Sequence, residues 1–464
     1  RKTIRNPAKF TLREKSLKKC SENLTKRRSE RSVSRRFMAV KVAVVSLGCD
    51  KNRVDTEKIL YYLSSGDYEI TSDYSEARII IVNTCAFIES ARKEAIDTIL
   101  EMAEYKKTGN CELLIVAGCL VQKYRDELKE SLTEADVFLG LDEYADIRRV
   151  IEKTDSAESL REGRILTTPP HYAYLRIADG CNNFCTFCTI PSIRGKYRSM
   201  PLETLVEEAE RLSDDGVREL VLIAQDVTAY GKDLYGCPSL PALLRELVKL
   251  DFKWIRLMYC YPELVTDELL DLIANEDKIA KYIDVPMQHV SDAVLKRMGR
   301  RSSYNELVTL TKKLNDRGIA MRTTFMVGFP GETEEDFKLL CDFTKEYKPA
   351  RVGIFAYSKE EGTPSCKLKG QIPKSVKLKR VNALGKIYLD CVRQRNAALV
   401  GKTVEVLYED MDYDRGLFVG RTQYDAPDID ANVYFSGDFA DVGNFYDVKI
   451  TGFDGYDLIG EKTK

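Results

Sequence analysis

Three cysteines that lie close together in the sequence could hold an iron–sulfur cluster. They are Cys181, Cys185 and Cys188, spaced C-x3-C-x2-C directly after an apolar run. Three such thiolates can bind three irons of a [4Fe–4S] cube and leave the fourth iron open to a bidentate small molecule. A zinc knuckle that lacks its fourth ligand and chance clustering are the alternatives, but no further Cys or His lies nearby to complete a zinc site. The spacing therefore predicts a cluster with one open iron.

A second set of cysteines is spread along the chain but shares one topological position. Cys49, Cys85 and Cys119 each lie one or two residues past the end of a predicted strand. Ligands gather outside the carboxyl ends of parallel strands, so three neighbouring strands would bring these thiols together. Gly48 and Gly118 give the backbone freedom to turn at these points. Buried cysteine also packs as a small hydrophobic residue, so three separate structural roles are the alternative.

The remaining composition narrows the chemistry. His171 and His289 are the two histidines of the chain, which nearly excludes a His-rich zinc site. Thirteen unevenly clustered cysteines in 464 residues favour metal binding in a reducing cytosol over a disulfide framework. No apolar run approaches the length of about 18 residues that a membrane span needs, so we predict a cytoplasmic protein. The other cysteines fail the strand-end test and are predicted to be packing or surface thiols: Cys20, Cys111, Cys237, Cys260, Cys341, Cys366 and Cys391.

The elements that must position these cysteines alternate between strand and helix. Three Val/Ile-rich runs separated by helical segments predict a parallel α/β domain over residues 38–150, followed by a charged linker over 151–166. Six more strand candidates predict a partial (β/α)6 barrel over 167–398, with its ligand at the carboxyl ends of the strands. An all-β tail over 399–464 predicts a small closed barrel of OB-like size.

Seven segments of the chain form recognisable motifs. They are S-L-G-C-D-K-N-R-V-D (46–55), N-T-C-A-F-I (83–88), G-C-L (118–120), I-P-S-I-R-G (190–195), P-M-Q-H (286–289), T-F-M-V-G-F-P-G-E-T (324–333) and D-A-P (425–427). Together these segments resemble the methylthiotransferases, a family of radical S-adenosylmethionine (SAM) enzymes, and the resemblance covers residues 38–464. The first segment is similar to the RimO branch of this family rather than to the tRNA-modifying MiaB branch. Asp50 departs from the pattern, because it stands where the RimO branch commonly has proline.

The resemblance implies a transferase of sulfur-containing groups. It would add a methylthio group to the β-carbon of an aspartate in small-subunit ribosomal protein twelve. It implies two [4Fe–4S] clusters: a radical cluster on the C-x3-C-x2-C cysteines, which cleaves SAM to a 5′-deoxyadenosyl radical, and an auxiliary cluster on the strand-end cysteines, which supplies sulfur. A second SAM would give the methyl group. No catalytic side chain is expected, because an unactivated C–H bond is beyond acid–base residues and the cofactor must do that chemistry.

The resemblance also implies which residues contact SAM and which partners are needed. Gln225 and Gln288 follow predicted barrel strands and are expected to contact SAM, although each could be a capping or loop-anchoring amide. Gly328 and Gly331 are expected there too, with an ordinary tight turn as the alternative. His289 is expected to be a structural histidine. An electron donor such as flavodoxin or ferredoxin and a sulfur donor are expected partners, and the C-terminal barrel resembles a TRAM domain.

Charge is distributed unevenly along the chain. Residues 1–37 hold 14 basic and 3 acidic side chains, and residues 401–464 hold 14 acidic and 6 basic ones. We expect the basic segment to be disordered and to be an extension ahead of the true start, with a nucleic-acid tail or a transit peptide as alternatives. The acidic tail should repel tRNA and attract a basic ribosomal protein, unless its charge merely maintains solubility.

Two other functions compete with this interpretation. One is methylthiolation of tRNA adenosines, as in the MiaB branch. The other is a non-catalytic iron–sulfur carrier or sensor, which would have no need of a barrel that encloses a reaction.

Overall fold

The computed structural model describes residues 39–153 and 163–463. The predicted disorder of residues 1–37, Cys20 and the middle of the predicted linker lie outside the described residues. Two compact units make up the described chain. The first contains the residues up to Pro169 together with Thr189–Gly195, and the second contains Pro170–Cys188 and the residues from Lys196 onward.

The first unit is built on a parallel sheet with strand order β2-β1-β3-β4-β5. The three predicted strands are confirmed as its centre. The two edge strands were missed because three residues are too few to show a period. The strands are β1 (Val40–Ser46), β2 (Tyr68–Ile70), β3 (Ile79–Thr84), β4 (Leu113–Gly118) and β5 (Val137–Leu139).

Helices cover both faces of this sheet. Val45 and Ile80 point into one apolar core and Val44 and Ile81 into another, which explains why these strands are apolar without alternation. The helices of the unit are α1 (Asp50–Ser64), α2 (Glu89–Ala103), α3 (Tyr105–Thr108), α4 (Cys119–Ser131), α5 (Ile147–Glu152) and α6 (Ile190–Arg194), with a 3-10 turn at Leu141–Asp146.

The second unit contains a six-stranded parallel sheet with order β13-β12-β11-β10-β9-β6. All six predicted strands are confirmed, as is their parallel direction. Between β6 and β9 in the chain, β7 (Ala178–Asp179) and β8 (Arg198–Ser199) pair as a separate two-stranded antiparallel ribbon. The six strands are β6 (Tyr172–Arg176), β9 (Glu219–Ile223), β10 (Trp254–Leu257), β11 (Ile279–Asp284), β12 (Ala320–Val327) and β13 (Arg351–Ala356).

Amphipathic helices alternate with these strands, as a (β/α) series requires. They are α7 (Leu202–Asp214), α8 (Lys232–Tyr235), α9 (Leu240–Leu247), α10 (Asp267–Asn275), α11 (Asp292–Met298), α12 (Tyr304–Asp316), α13 (Glu334–Tyr347) and α14 (Lys374–Ala397), with 3-10 turns at Pro262–Leu264 and Pro364–Lys367. In the described part of the chain, no helix has the length and apolar character to cross a bilayer.

A closed barrel follows, as the sequence predicted, with order β14-β15-β16-β18-β17. Its last strand was missed because Gly and charged residues interrupt the run, yet that strand pairs with two neighbours and closes the barrel. Phe435 and Val448 are fully buried in its core. The strands are β14 (Thr403–Asp412), β15 (Leu417–Arg421), β16 (Val433–Ser436), β17 (Phe445–Asp454) and β18 (Asp457–Lys462).

The loop between β15 and β16, residues 422–432, lies across the amino ends of the six-stranded sheet, and we call it the closing loop. Arg351, the first residue of β13, donates from Nε to Asp425 Oδ1 at 2.7 Å. Tyr172, the first residue of β6, donates its hydroxyl to Asp428 Oδ2 at 3.0 Å. The carboxyl ends of the strands, where ligands of such sheets bind, therefore lie at the other end.

Candidate functional site

The strand-end cysteines of the first unit lie at neighbouring strand ends. Ser46 pairs with Asn83, and Thr84 pairs with Gly118, so β1, β3 and β4 end at nearly the same level of the sheet. Cys85 and Cys119 follow the ends of β3 and β4 directly, and Cys49 lies three residues after the end of β1. The sheet order thus places the three thiols on adjacent strands, as the sequence predicted.

Two of these cysteines also lie at helix N-termini. Cys49 is the N-cap of α1, and Cys119 is the first residue of α4. A helix N-terminus favours negative charge, which suits thiolates that hold an anionic cluster. Asp50 occupies the first helical position after Cys49 and bonds to Lys51. Proline and acidic residues are both favourable at this position, so the departure at Asp50 leaves the helix start intact.

The glycines beside the cysteines are required by the backbone. Gly48 has φ +95°, and a Cβ built there would lie 2.7 Å from Cys85 Cβ. Gly118 has φ +97° and ψ −155°, a region that is essentially restricted to glycine. A Cβ there would collide with the side chain of Asn83. These glycines let the chain turn tightly and allow the neighbouring cysteine strands to approach each other.

Asn52 holds the strand ends together from inside α1. This residue is fully buried. Its Nδ2 donates to Leu47 O at 3.0 Å and to Thr84 O at 2.8 Å, which ties β1 to β3 next to their cysteines. Its Oδ1 accepts from the Cys119 thiol at 3.3 Å. Sequence reasoning gave Asn52 no role, although its place in the S-L-G-C-D-K-N segment was a signal.

Arg194 is a second residue of this site that sequence reasoning missed. It lies at the end of α6, which packs in the first unit although Cys188, a few residues before it, belongs to the second. Its Nη2 donates to Asn52 Oδ1 at 2.9 Å and to Asp55 Oδ2 at 2.8 Å. The same nitrogen lies 3.6 Å from Cys119 Sγ. An arginine within the mostly apolar I-P-S-I-R segment was the available signal.

Burial makes two of these thiols, Cys85 and Cys119, reluctant to ionise on their own. Burial, with the neighbouring Cys49, raises the pKa of Cys85 to about 11. Burial also raises the pKa of Cys119 well above its usual range, although Arg194 opposes that change. A bound metal deprotonates such thiols outright. Binding to a multi-iron centre would therefore stabilise these thiols in their deprotonated form.

The C-x3-C-x2-C cysteines lie at the carboxyl end of the sheet in the second unit. Cys181 and Cys185 are buried, and Cys188 is half-buried. The Cys188 N–H donates to Cys185 O at 3.0 Å, which folds the segment into a tight turn. Phe184, between these cysteines, has φ +49° and is 64% exposed. Left-handed backbone in a bulky residue is uncommon and is a mark of functional loops.

Polar side chains around this loop fix its conformation. Asn183 Nδ2 donates to the buried Asp226 at 2.8 Å. The Cys185 thiol and the Tyr261 hydroxyl are hydrogen-bonded. Arg300 stacks on Tyr261, with its guanidinium carbon 3.9 Å from the ring centroid. Of these residues, sequence reasoning had identified only the cysteines.

Each set supplies three thiols, which is the number of protein ligands that a [4Fe–4S] cluster with one open iron takes. The helix N-termini beside Cys49 and Cys119 are suited to an anionic group. Among residues 39–153 and 163–463, no group of three Cys, His, Asp or Glu side chains is arranged to hold one metal ion.

The two glutamines predicted to contact SAM both follow strands of the second unit. Gln225 comes two residues after β9, and its Nε2 donates to Asp179 Oδ1 at 3.1 Å. Its Oε1 is buried and has no hydrogen-bond partner among the described residues. Gln288 follows β11, has φ +70°, and forms a backbone bridge to Phe325. Their contact with SAM stays a prediction.

The local backbone explains why the two positions predicted to contact SAM, Gly328 and Gly331, are glycines. Gly328 has φ +74°, and its N–H donates to Glu332 Oε2 at 2.6 Å. Gly331 has φ +81° and donates to Gly370 O at 2.8 Å. Burial raises the pKa of Glu332 to about 6, and its salt bridge to Arg380 opposes that rise. The turn is thus held by internal bonds, and a role for these glycines toward SAM stays a prediction.

Both histidines are buried side chains with internal partners. His289 Nδ1 accepts from the Ser291 N–H at 3.0 Å, and burial lowers the pKa of His289 to about 3. His171 Nε2 lies 3.1 Å from Glu409 Oε1 in the C-terminal barrel. Both contacts are those of structural histidines.

A cavity of about 300 Å³ opens in the second unit beside the C-x3-C-x2-C loop, residues 181–188, which we call the radical-cluster loop after the cluster predicted for it. Gln225, Gln288, Gly328 and Gly331 do not line it. Carboxylates, amides, hydroxyls and cations converge on it, so it could orient a polar ligand next to the cysteines. Its walls include Asn182, Asn183, Asp226, Tyr261, Glu263 and Arg301.

Three family models match the chain in consecutive segments. Residues 41–140 match the uncharacterized protein family UPF0004, residues 175–344 match the radical SAM superfamily, and residues 400–462 match the TRAM domain. The matches follow the order of the α/β unit, the six-stranded sheet and the closed barrel. The predicted TRAM and radical SAM folds are thereby confirmed.

Three relatives that match over nearly their whole length share one protein name. A ribosomal protein uS12 methylthiotransferase RimO of Acetivibrio thermocellus is 47% identical over 91% of this chain and 98% of that protein. The RimO of Clostridium botulinum strain Eklund 17B is 49% identical over 90% of this chain and 97% of its own. The RimO of Geotalea uraniireducens is 48% identical over 91% and 98%.

Solved structures are similar in fold. The radical SAM methyltransferase TsrM of Kitasatospora setae, with cobalamin and a [4Fe–4S] cluster bound, has a TM-score of 0.51 and 15% identity. The match covers 71% of this chain and 74% of that one.

With close to half of its residues identical to full-length relatives, the protein belongs to the family of ribosomal protein uS12 methylthiotransferases named RimO, within the radical SAM superfamily.

Proposed function

We propose that this protein is a radical SAM enzyme that adds a methylthio group to the β-carbon of an aspartate in ribosomal protein uS12, the small-subunit protein twelve. The carrying observation is the placement of Cys49, Cys85 and Cys119 at three adjacent strand ends in a chain that also has the C-x3-C-x2-C loop. A single cluster suffices to generate a radical. A second cysteine site suits a reaction that must also supply sulfur. The substrate follows from the name that the RimO relatives share.

Each set of cysteines has its own part in this proposal. Cys181, Cys185 and Cys188 would hold three irons and leave the fourth to the amino and carboxylate groups of SAM. The strand-end cysteines would hold the auxiliary cluster. When bound, the two clusters and two SAM molecules supply an electron, a hydrogen-abstracting radical, a sulfur atom and a methyl group. The net change replaces one C–H bond by C–S–CH3.

The protein itself positions these groups. Asn52 ties two cysteine strands together, and Asn183 anchors the radical-cluster loop to Asp226. Gln225, Gln288, Gly328 and Gly331 are our candidates for SAM contacts. In this view the side chains bind, orient and exclude water, and none acts as acid or base on the substrate.

The C-terminal barrel is the candidate surface for the substrate protein. Its sequence carries a net charge of −8 over residues 401–464. Tyr413 and Phe439 are 76% and 65% exposed and lie next in sequence to Asp412 and Asp438. Aromatic rings beside carboxylates suit lysine and arginine side chains, whereas phosphates would be repelled. This surface therefore favours a basic ribosomal protein over tRNA. A flavodoxin- or ferredoxin-like electron donor and a separate sulfur donor complete the expected partners.

The test is product analysis with single-site variants. The anaerobically reconstituted protein is incubated with SAM, dithionite, sulfide and purified uS12, and uS12 peptides are analysed by mass spectrometry. We expect one aspartate to gain a methylthio group. Cys185→Ala should abolish both this product and 5′-deoxyadenosine. Cys85→Ala should abolish the product but still release 5′-deoxyadenosine. Cys237→Ser, an exposed cysteine outside both sets, is the matched control and should behave as the wild type.

Two results would contradict the proposal. Methylthio groups on tRNA adenosines, with uS12 unmodified, would assign the chain to tRNA. Failure of dithionite and SAM to give 5′-deoxyadenosine in a protein with full iron content would favour a carrier or sensor.

A further inference from the structure

Arg194 is a buried cation directed at the strand-end cysteines of the first unit. The residue is 5% exposed, and its partner Asp55 is 2% exposed. Burying a guanidinium is costly unless its hydrogen bonds are well satisfied. Arg194 donates to the Asp55 carboxylate at 2.8 Å and to the Asn52 amide oxygen at 2.9 Å, and these hydrogen bonds offset part of the free energy of burying the guanidinium. The charge is thus held in a fixed position inside the site.

One nitrogen of Arg194 faces three possible acceptors. Nη2 lies within hydrogen-bond reach of Asn52 Oδ1 and Asp55 Oδ2, and 3.6 Å from Cys119 Sγ. This nitrogen has two hydrogens to offer. In the protonated thiol form, Cys119 does not need one, because its own S–H donates to Asn52 Oδ1 at 3.3 Å.

Cluster binding would change this arrangement. An iron-bound Cys119 is a thiolate, so it loses its S–H and turns from a donor into an acceptor. Asn52 Oδ1 then loses the thiol donor, and the anionic sulfur competes for a hydrogen of Arg194 Nη2. Charge-assisted hydrogen bonds of this kind are about twice as strong as neutral ones. The position of Arg194 Nη2 is therefore suitable for a hydrogen bond to the Cys119 sulfur when the site holds a cluster.

We propose that Arg194 donates a hydrogen bond to the Cys119 sulfur of the auxiliary cluster and raises the reduction potential of that cluster. The proposal rests on the proposed auxiliary cluster. Hydrogen bonds to cluster sulfurs and nearby charge are among the factors that set such potentials. A fixed positive charge stabilises the reduced, more negative state. Because the guanidinium remains protonated at all accessible pH values, this effect is permanent and does not switch. Arg194 is in this sense a positioning residue that acts through a cluster ligand.

The test uses the full chain with the radical-cluster cysteines replaced, Cys181→Ala/Cys185→Ala/Cys188→Ala, so that one cluster remains to be measured. Into this background we introduce Arg194→Lys, Arg194→Gln and Arg194→Gln/Asp55→Asn. Arg78→Gln, which removes an exposed arginine of the same unit, is the matched control. Iron content, the midpoint potential by EPR-monitored titration, and hyperfine coupling to 15N-labelled arginine are recorded for each.

We expect about four irons per chain in the background protein, since one [4Fe–4S] cube remains. The potential should fall most in Arg194→Gln, where Asp55 is left without this cation. It should fall less in the double variant, which loses both charges, and least in Arg194→Lys. The arginine 15N coupling should disappear in all Arg194 variants and persist in Arg78→Gln. This coupling reports direct contact with the cluster, which a purely structural residue would not show.

Other outcomes overturn the proposal. An unchanged potential in Arg194→Gln, or no arginine coupling in the background protein, would exclude the hydrogen bond. Loss of iron in both Arg194→Lys and the double variant, with Arg78→Gln intact, would make the residue structural. Absence of iron from the background protein itself would remove the auxiliary cluster, and so would count against the proposed function first.

Discussion

Arg421 Nη2, at the end of β15 in the C-terminal barrel, donates to Glu219 Oε2, at the start of β9 in the six-stranded sheet, at 2.5 Å. Glu219 also accepts from Arg256 Nε at 2.6 Å, and its side chain is fully buried. Burial opposes ionisation of Glu219, but the two arginines outweigh it and lower the pKa of this carboxyl. The closed barrel is therefore fastened to the amino ends of the sheet by buried charge as well as by the closing loop.

We predict that Arg421→Met strongly destabilises the second unit. The substitution leaves Glu219 with one cation instead of two and removes a partner of Glu409. Breaking a buried ion pair from one side typically costs about 3–5 kcal/mol. The urea midpoint of unfolding should fall accordingly, as followed by circular dichroism.

A surface pair gives the matched control for this experiment. Lys253 contacts Glu405 of β14 at 2.9 Å, and both side chains are about two-fifths exposed. Exposed pairs contribute about 1 kcal/mol or less. Lys253→Gln should thus leave the midpoint almost unchanged. Equal shifts in the two variants would show that the burial of the Arg421 pair has no special weight.

Iron content should separate the two sets of cysteines. Two [4Fe–4S] clusters require about eight irons per chain after anaerobic reconstitution. Replacement of Cys49, Cys85 and Cys119 by alanine should lower the content to about four, and so should replacement of the radical-cluster cysteines. Iron and sulfide assays measure both. A wild-type content that never exceeds about four would contradict the two-cluster prediction.

Gly118→Ala should remove the auxiliary cluster while the radical cluster remains. The new Cβ would collide with Asn83, and the backbone angles at this position cost a non-glycine residue about 1–3 kcal/mol. The strand end should shift and carry Cys119 away from its neighbours. We expect the iron content to fall by about half and the free energy of unfolding of the first unit to decrease.

Gly216→Ala is the control for the glycine experiment. Gly216 has φ +83°, but a Cβ there would meet no atom within 4 Å. This variant should cost about 1–2 kcal/mol through backbone strain alone and keep the full iron content. Loss of iron in Gly216→Ala as well would show that the Gly118 result is not specific to the site.

His289 should make the protein less stable as the pH falls below about 6.5. Its pKa is about 3 in the folded protein, because burial lowers it, with Arg380 opposing the nearby Asp336. The unfolded chain therefore binds more protons than the folded one between these two values, so stability is fully present above the unfolded pKa. At pH 5 the loss would be about 2 kcal/mol relative to neutral pH.

His289→Asn tests this dependence. Asparagine can still accept the Ser291 N–H but does not titrate. Urea unfolding of both proteins at pH 7.0, 6.0 and 5.0 (about 1.4 kcal/mol per pH unit at full effect) should give a flatter pH profile for the variant. Parallel profiles for the two proteins would assign the acid sensitivity to other groups.

Much of the fold was predictable from local patterns. The short apolar runs that became β1, β3 and β4 could be recognised because parallel strands buried on both faces are continuously apolar. β2, β5 and β18 were missed because they are short or contain Gly and charged residues, and their pairing partners decide their conformation. The D-A-P segment was recognised by resemblance, but its salt bridge from Arg351 to Asp425 became visible only in the folded chain.

The sequence by itself determined the candidate cluster ligands of this protein: the cysteine spacing at 181–188, and the position of Cys49, Cys85 and Cys119 just past strand ends. Both are local features, since strand ends and ligand spacing are encoded within a few residues. The tertiary structure decided what surrounds those sulfurs. Arg194 and Asp55 are 139 residues apart, and Arg421 and Glu219 are 202 apart. A sequence pattern that repeats every few residues cannot relate positions so far apart. Their charges pair because the folded core buries them next to each other.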